Sequence, residues 1–359
     1  MEKKTLNYIT FDSWWDTDVT LLPELCKEYK LNVFVEDWTD AAKYPVKEDY
    51  GFNKFIIYKA KYRNRDIRRS WGSMKYFFSI MKETRKKDST TLFILGGDAY
   101  LVMLLFILLN PKKTIIASHN YREHVDNRRT AFAFVYRWYY HRFRRFLFFS
   151  ELQKQNYLND FPNKDVYSIT MPLKDFGKPK KERTDDRVTF LFFGGIRPYK
   201  HPEVFINASH KIPADKARFI MVGSGKDWWH KYEPLVKDGD NIELDVRFVD
   251  NSEIPDFFNQ ADFLVLPYED ATQSGPSLIA LNYCVPIIAT KLPAFEKLIK
   301  DGENGYLFDP CDENVLADLF LKIIEKGRPG IDSMRDAMVR AKEEYQSSHN
   351  VVDTFRSII

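Results

Sequence analysis

Two tandem α/β domains built on parallel sheets are what this sequence predicts, and three observations carry that expectation. Short apolar runs alternate with helical stretches along the chain, and a charged, apolar-poor break divides the alternation into two series. The length, 359 residues, also exceeds what one ordinary core fills.

Leu6 to Thr10 opens the first series as a strand, followed by a helix over Val19 to Tyr29 and a strand at Leu31 to Val35. Phe55 to Tyr58 reads as a strand and Trp71 to Lys87 as a helix. Strands at Leu92 to Leu95, Thr114 to Ser118 and Phe146 to Phe149 complete the series. The apolar run Tyr100 to Leu109 is half the length needed to span a bilayer and reads as a buried helix. The segment Lys174 to Asp186 (KDFGKPKKERTDD) is the interdomain linker. Beyond it, strands follow at Val188 to Phe193, Ala217 to Val222, Ile242 to Val249, Phe263 to Pro267 and Pro286 to Ala289. The expected division is 1–173, a linker at 174–186, 187–340, and a C-terminal helix over 341–359 packing back on the first domain. Two such sheets face a ligand cleft between the domains, near the strand C-termini.

Composition narrows the function. Hydrophobic residues make up 44% and charged residues 29%, the balance of a folded soluble chain. A net charge of +3 does not call for nucleic acid. Cys26, Cys284 and Cys311 are odd in number and widely spaced, which excludes a disulfide framework and argues against a zinc site. The N-terminus, MEKKTLNYITFDSWW, has no apolar run suited to a signal peptide, so a cytoplasmic location is expected.

The strongest site signal is VTFLFFGGIRPYKHPEVFINA, residues 188–208. A strand runs into Gly194-Gly195, then Arg197 and Lys200, then a helix near Pro202. Glycine admits close backbone approach, Arg offers forked hydrogen bonds to phosphate, and Lys adds a point charge. A tight turn with two solvated cations is the alternative. In residues 261–290 a strand ends at Pro267, and Thr272, Gln273, Ser274 and Gly275 lead into a helix over Pro276 to Tyr283. Hydroxyls, an amide and exposed N–H groups suit a diphosphate, while Ser274 also reads as a plain N-cap. FIMVGSGKDWW ends a strand in Gly223-Ser224-Gly225; it lacks the glycine and Ser/Thr of an ATP P-loop and is read as lining the same crevice.

Together these segments resemble the C-terminal domain of family 4 glycosyltransferases (glycosyl transferases group 1), which have the GT-B fold of two Rossmann-like domains facing a cleft. The matching stretches are FFGGIRPYKH, VGSG, VRFVDNSEIPDFFNQADFLVLPY, TQSG and ATKLPAFEKLIKDGENGYLFDPCDENVLADLF. The resemblance implies transfer of sugar from a nucleotide diphosphate donor, with retention and without cofactor or required metal. It places Arg197 and Lys200 on the diphosphate, and the base on backbone around Phe248 to Asp250, centred on Val249. Two glutamates of the family pattern fall at Ala271 and Ile279, so the chain resembles a branch with a TQSG-type loop, its donor phosphates held mainly by Ser274-Gly275.

IIASHNYREHVDNRR (residues 115–129) resembles the family segment in which a strand ends in His-Asn, which makes His119 and His124 candidates for the catalytic centre. FDSWWDTD places Asp16 and Asp18 beside Trp14 and Trp15, a candidate acceptor site of sugar-stacking rings and hydroxyl-binding carboxylates. Asp18 reads equally as an N-cap. In the helix from about Arg128 to Arg144, Phe132, Tyr136, Tyr139 and Phe143 form a core stripe. Its other face sets Arg137, His141 and Arg144 beside Trp138. With the basic-aromatic segment 62–78, that face suits either solvent or an anionic membrane surface. The expected activity is glycosyl transfer to a saccharide or lipid-linked saccharide in surface polysaccharide or glycan synthesis. A nucleotide-sugar-binding scaffold and a nucleotide-sugar epimerase of similar fold are the alternatives.

Overall fold

A computed structural model describes residues 3–37, 51–59, 69–96, 99–118, 121, 131–183, 185–225, 228–236, 241–348 and 351–359. The chain divides into two compact units. One comprises Met1–Glu123, Asn127–Pro172 and His349–Ile359; the other comprises Leu173–Ser348 with His124–Asp126.

In the N-terminal unit the strands are β1 (Thr5–Phe11), β2 (Lys30–Asp37), β3 (Lys54–Lys59), β4 (Ser89–Ile94), β5 (Thr114–Ser118), β6 (Arg145–Phe148) and β7 (Asp165–Ser168). Among the described residues they form one sheet in the order β3-β2-β1-β4-β5-β6-β7, every pairing parallel. The helices are α1 (Trp15–Glu28), α2 (Arg69–Thr84), α3 (Ala99–Leu108), α4 (Ala131–Arg142) and α5 (Glu151–Asp160). Right-handed crossovers put α2 to α5 on one face of the sheet and α1 on the other. Strands buried on both faces need apolar side chains at successive positions, which is why β2 and β5 were legible as runs rather than alternations. β7 (DVYS) is half-buried along its length and carried no such signal.

In the C-terminal unit the strands are β8 (Val188–Phe193), β9 (Ala217–Val222), β10 (Ile242–Asp245), β11 (Phe263–Leu266), β12 (Ile287–Thr290) and β13 (Gly305–Phe308). Their order is β10-β9-β8-β11-β12-β13, again all parallel among the described residues. The helices are α6 (Pro202–Ser209), α7 (Trp228–Lys231), α8 (Ile254–Gln260), α9 (Gly275–Asn282), α10 (Pro293–Glu296) and α11 (Glu313–Ser347). The strand expected to reach Val249 stops at Asp245, where Arg247 N turns back to donate to Asp245 O at 3.1 Å.

The segment expected as a free linker is tied to this unit. Lys180 N and Lys181 N donate to Asp256 Oδ1, and Phe176 N donates to the Tyr283 hydroxyl at 2.9 Å. Arg183 grips the fully buried Asp262 with both terminal nitrogens, at 2.7 and 2.6 Å, and Arg328 adds a third bond at 2.6 Å.

α11 is broken at Gly327, whose φ of 63° and ψ of −168° belong to a region essentially reserved for glycine. α12 (Val351–Ile358) then lies in the N-terminal unit against α1, with Arg356 on Glu28 at 2.9 Å. Arg145 donates to Ile358 O at 3.1 Å, and Lys4 to Ile359 O at 2.8 Å.

Candidate functional site

The register of the C-terminal sheet builds the site. Phe193 pairs with Val222 across β8 and β9, so the two glycine loops leave the sheet side by side. Gly194 N donates to Val222 O at 2.9 Å, and Ile196 N to Ser224 O at 2.8 Å. A Cβ on Gly223 would lie 1.8 Å from Gly194 O, and its φ is 146°, so this pair of loops closes only with glycine there. Gly225 serves the same packing, since its Cβ would stand 2.8 Å from Ile196. The sides of Gly223 and Gly225 where a Cβ would stand, two glycines expected to line the ligand crevice, are taken up by loop-to-loop contact. Gly195 is different: it is exposed, and a Cβ there would reach nothing closer than 4.0 Å.

Strand order reverses between β8 and β11, and ligands of open α/β sheets bind where the loops diverge at such a switch point. The loop after β8 carries Arg197 and a short turn, Pro198–Lys200, ending on His201 in the left-handed conformation (φ 45°, ψ 56°). That turn directs Lys200 inward. Its side chain is buried, with Nζ 5.0 Å from the centre of the Tyr268 ring, and a Cβ on Gly194 would sit 3.6 Å from Nζ. Burial first, and then the Arg197 charge, push the Lys200 ammonium down to about 8. Among the described residues neither Arg197 nor Lys200 pairs with a carboxylate within 4.0 Å. Two neighbouring cations, one of them buried, are left without an acidic counter-charge among the described residues.

The loop after β11 supplies the start of α9. Ser274 is its N-cap, accepting from Ser277 N, while Ser277 Oγ donates back to Ser274 O at 2.7 Å. The capping reading of Ser274 therefore holds in the structure. Pro276 has no N–H, and Ser277 N is taken, so the first turn presents chiefly Gly275 N–H to an anion. Thr272 and Gln273 are half-buried beside it. Pro276 faces Gly194, whose Cβ would lie 3.3 Å from Pro276 Cγ, so the β8 and β11 loops meet. Lys174, missed in the segment read as linker, belongs to the same place: it is buried, and its Nζ lies 3.5 Å from where a Cβ on Gly275 would stand. Tyr268, beside Lys200, was also missed; burial pushes its hydroxyl well above the usual tyrosine range. Ala271 and Ile279 are buried and apolar, while Glu269 stands exposed with its carboxylate 3.6 Å from His201. Val249 is a core residue, so only its backbone can face a ligand.

The N-terminal candidates fare differently. Trp14, Trp15 and Asp18 are 8%, 5% and 0% exposed. Trp14 packs on Phe149 with ring centres 4.9 Å apart, and Trp15 packs on Phe55 at 5.7 Å. The Asp18 carboxylate accepts from Tyr8 and Thr10 of β1, each at 2.6 Å, and α1 begins three residues earlier, so Asp18 is not an N-cap. These three are core groups rather than an exposed sugar platform. The Asp16 side chain, and His119 and His124, lie outside the described residues. Among the described residues no group of three or more His, Cys, Asp or Glu could hold a metal ion.

This is the fold of GT-B glycosyltransferases, two Rossmann-like parallel-sheet units. The chain resembles sucrose-phosphate synthase from Thermosynechococcus elongatus at a TM-score of 0.71 and 14% identity, over 99% of this chain and 97% of that one. It also resembles Anabaena HepE in complex with UDP-glucose, at 0.69 and 11% identity over 98% of each chain. Likeness at these identities establishes the fold alone. Residues 187–326 match the family Glycosyl transferases group 1, so the C-terminal unit carries a domain of that type. A D-inositol 3-phosphate glycosyltransferase of Pseudarthrobacter chlorophenolicus is 26% identical over 191 residues, 50% of this chain and 45% of that protein. An uncharacterized 41.2 kDa protein in the cps region of Klebsiella pneumoniae is 26% identical over 141 residues, 39% of this chain and 38% of that protein. The chain thus spans less than half the length of these curated relatives.

Proposed function

We propose that this chain is a glycosyltransferase that takes a sugar from a nucleotide diphosphate donor and passes it, with retention, to a saccharide or lipid-linked saccharide acceptor. The observation that carries the reading is the buried Lys200 beside Arg197, facing the start of α9 and without a carboxylate partner among the described residues. A diphosphate supplies the missing negative charge. Arg197 and Lys200 then hold its oxygens, and Gly275 N–H donates to it at a helix end that favours anions. As the bond from the anomeric carbon to the phosphate oxygen breaks, these groups stabilise the charge growing on the departing nucleotide, a role that needs no protein-bound metal. The acceptor hydroxyl oxygen takes the vacated bond, and its proton leaves with the nucleotide diphosphate. The TQSG loop stands where the family's paired glutamates would be, and His119 and His124 are kept as the groups that steer the reacting hydroxyl. The family match over 187–326 and a neighbour of like fold in complex with UDP-glucose support a nucleotide-sugar donor. Synthesis of surface glycan on the cytoplasmic side of a membrane is the setting that suits such a donor.

A screen of UDP-, GDP- and ADP-sugars, following nucleotide release with and without lipid extract, tests the reading. Turnover with one donor, lost in Lys200→Ala, is expected. Binding of a donor without release under any condition points instead to a scaffold, and failure of every donor to bind overturns the assignment of the site.

A further inference from the structure

α3 is apolar on every face, yet the N-terminal unit buries only part of it. Val102, Leu105 and Leu109 lie in the core, whereas Met103, Leu104 and Ile107 stand exposed, Ile107 at 65%. The expectation of a fully buried helix therefore fails on this side. α3 contacts both α2 and α4, and each carries exposed apolar side chains of its own. α2 adds Met74 and, one turn on, Phe78, exposed at 64%; α4 adds the exposed Trp138, whose ring lies 6.0 Å from Phe106 of α3. A helix apolar all round is suited to an apolar medium on both sides, and exposed apolar residues gathered on neighbouring helices mark an interaction surface.

Cations border the patch where the three helices end. Arg142 lies over the Phe106 ring at 5.2 Å and donates to Ile107 O. Arg145 donates to Lys112 O at 2.9 Å, and Lys113 Nζ donates to the carbonyls of Lys86 and Lys87 at 3.0 and 2.7 Å. Arg85, Lys87 and Lys112 are exposed there and, among the described residues, form no ion pair. α3 and α4 contain no acidic residue, and Glu83 of α2 is buried between Lys54 and Lys86.

We propose that this face of the N-terminal unit docks on the surface of an anionic lipid bilayer, with α3 seated at the interface and the basic row over the headgroups. Ten residues of α3 are too few to cross a bilayer, so the contact is with one leaflet. Lys and Arg stems lie along apolar surface while their charges reach phosphate, and Trp138 sits at the rim where such rings favour headgroups. A second copy of the chain fits less well, because it brings an equally basic belt with it. Arg137 and His141 of α4 are exposed beside Trp138, whereas Arg144 is held by Asp165 at 2.9 Å.

Flotation of the full chain with vesicles tests this. Wild type is expected to float with phosphatidylcholine vesicles containing phosphatidylglycerol at low salt, and to stay behind with phosphatidylcholine alone. Ile107→Asp with Phe78→Asp should abolish flotation. Arg85→Ser, Lys87→Ser and Lys112→Ser together should weaken it by about fivefold per cation and flatten its salt dependence. Unchanged melting temperature and nucleotide binding show that the variants are folded. Wild type that ignores anionic vesicles, or an aspartate double variant that floats as well as wild type, overturns the proposal. Sedimentation showing a dimer that the double variant dissociates would assign the face to a second copy and overturn it equally.

Discussion

Lys200→Met removes one charge while keeping most of the stem, and its effects on stability and on ligand binding should have opposite signs. The buried ammonium sits at about 8 against 10.5 for a free lysine, so keeping it charged costs about 3 kcal/mol, at about 1.4 kcal/mol per tenfold change in protonation. The thioether needs no charge solvation, and imperfect packing takes back some of the gain, leaving the ligand-free protein more stable by roughly 1–3 kcal/mol at pH 7. Binding of a nucleotide diphosphate should weaken by roughly 10- to 150-fold, the worth of one buried hydrogen bond to a charged group. Because the folded value lies below the unfolded one, the penalty is complete below pH 8 and is relieved as pH rises from about 8 toward 10.5. The stability gap between variant and wild type therefore closes over that range, and wild-type affinity falls toward that of the variant. Scanning calorimetry, following the transition that the nucleotide shifts, and titration calorimetry with UDP and UDP-glucose read both quantities. A methionine variant that is less stable than wild type and binds equally well would refute the reasoning, because Lys200 would then be a satisfied core lysine.

Three further perturbations separate binding from architecture. Lys174→Ala should weaken nucleotide binding by roughly tenfold with little change in melting temperature, since its ammonium stands at Gly275; unchanged titration calorimetry would return Lys174 to a structural role. Asp262→Ala leaves Arg183 and Arg328 unpaired and should cost roughly 3–5 kcal/mol by denaturant unfolding. Burial raises the Asp262 pKa, but hydrogen bonds from Arg183 and Thr189 outweigh it and hold the carboxyl below the usual range; the stability it contributes is lost as pH falls from about 4 downward through the folded value. Gly223→Ala, which drives a Cβ against Gly194 O, should cost roughly 3 kcal/mol or more and lower soluble yield and melting temperature together.

Legibility in the sequence followed burial. β8 (VTFLFF) and β11 (FLVL) are covered on both faces, so apart from Thr189 they appear as apolar runs and reveal the parallel sheet. β13 (GYLF) shares Gly305 with the turn-rich DGENG segment and keeps only three further residues, so no apolar run stands out. The candidate-site loop after β8 was readable because glycine, arginine and lysine at the end of a strand are rarely found together without an anion to hold. Lys174 was not, since nothing in a charged segment distinguishes a lysine that folds inward from one that stays in water. Trp14, Trp15 and Asp18 show the converse. An aromatic-acidic cluster looks like a sugar site until its partners are known, and those partners, Tyr8, Thr10, Phe55 and Phe149, come from two strands, β1 and β3, and the turn after β6.

The placement of α12 bears on how the protein is made. The C-terminal unit is essentially one continuous stretch, Leu173–Ser348, whereas the N-terminal unit borrows His349–Ile359. During synthesis the first sheet emerges early, but the apolar patch that Val351, Phe355 and Ile358 cover stays open until the whole second unit has left the ribosome. The unit whose strands are made first is thus completed last. A fragment cut at Pro172 lacks its final helix, and separate expression of that domain needs α12 supplied in trans or joined through a short artificial loop.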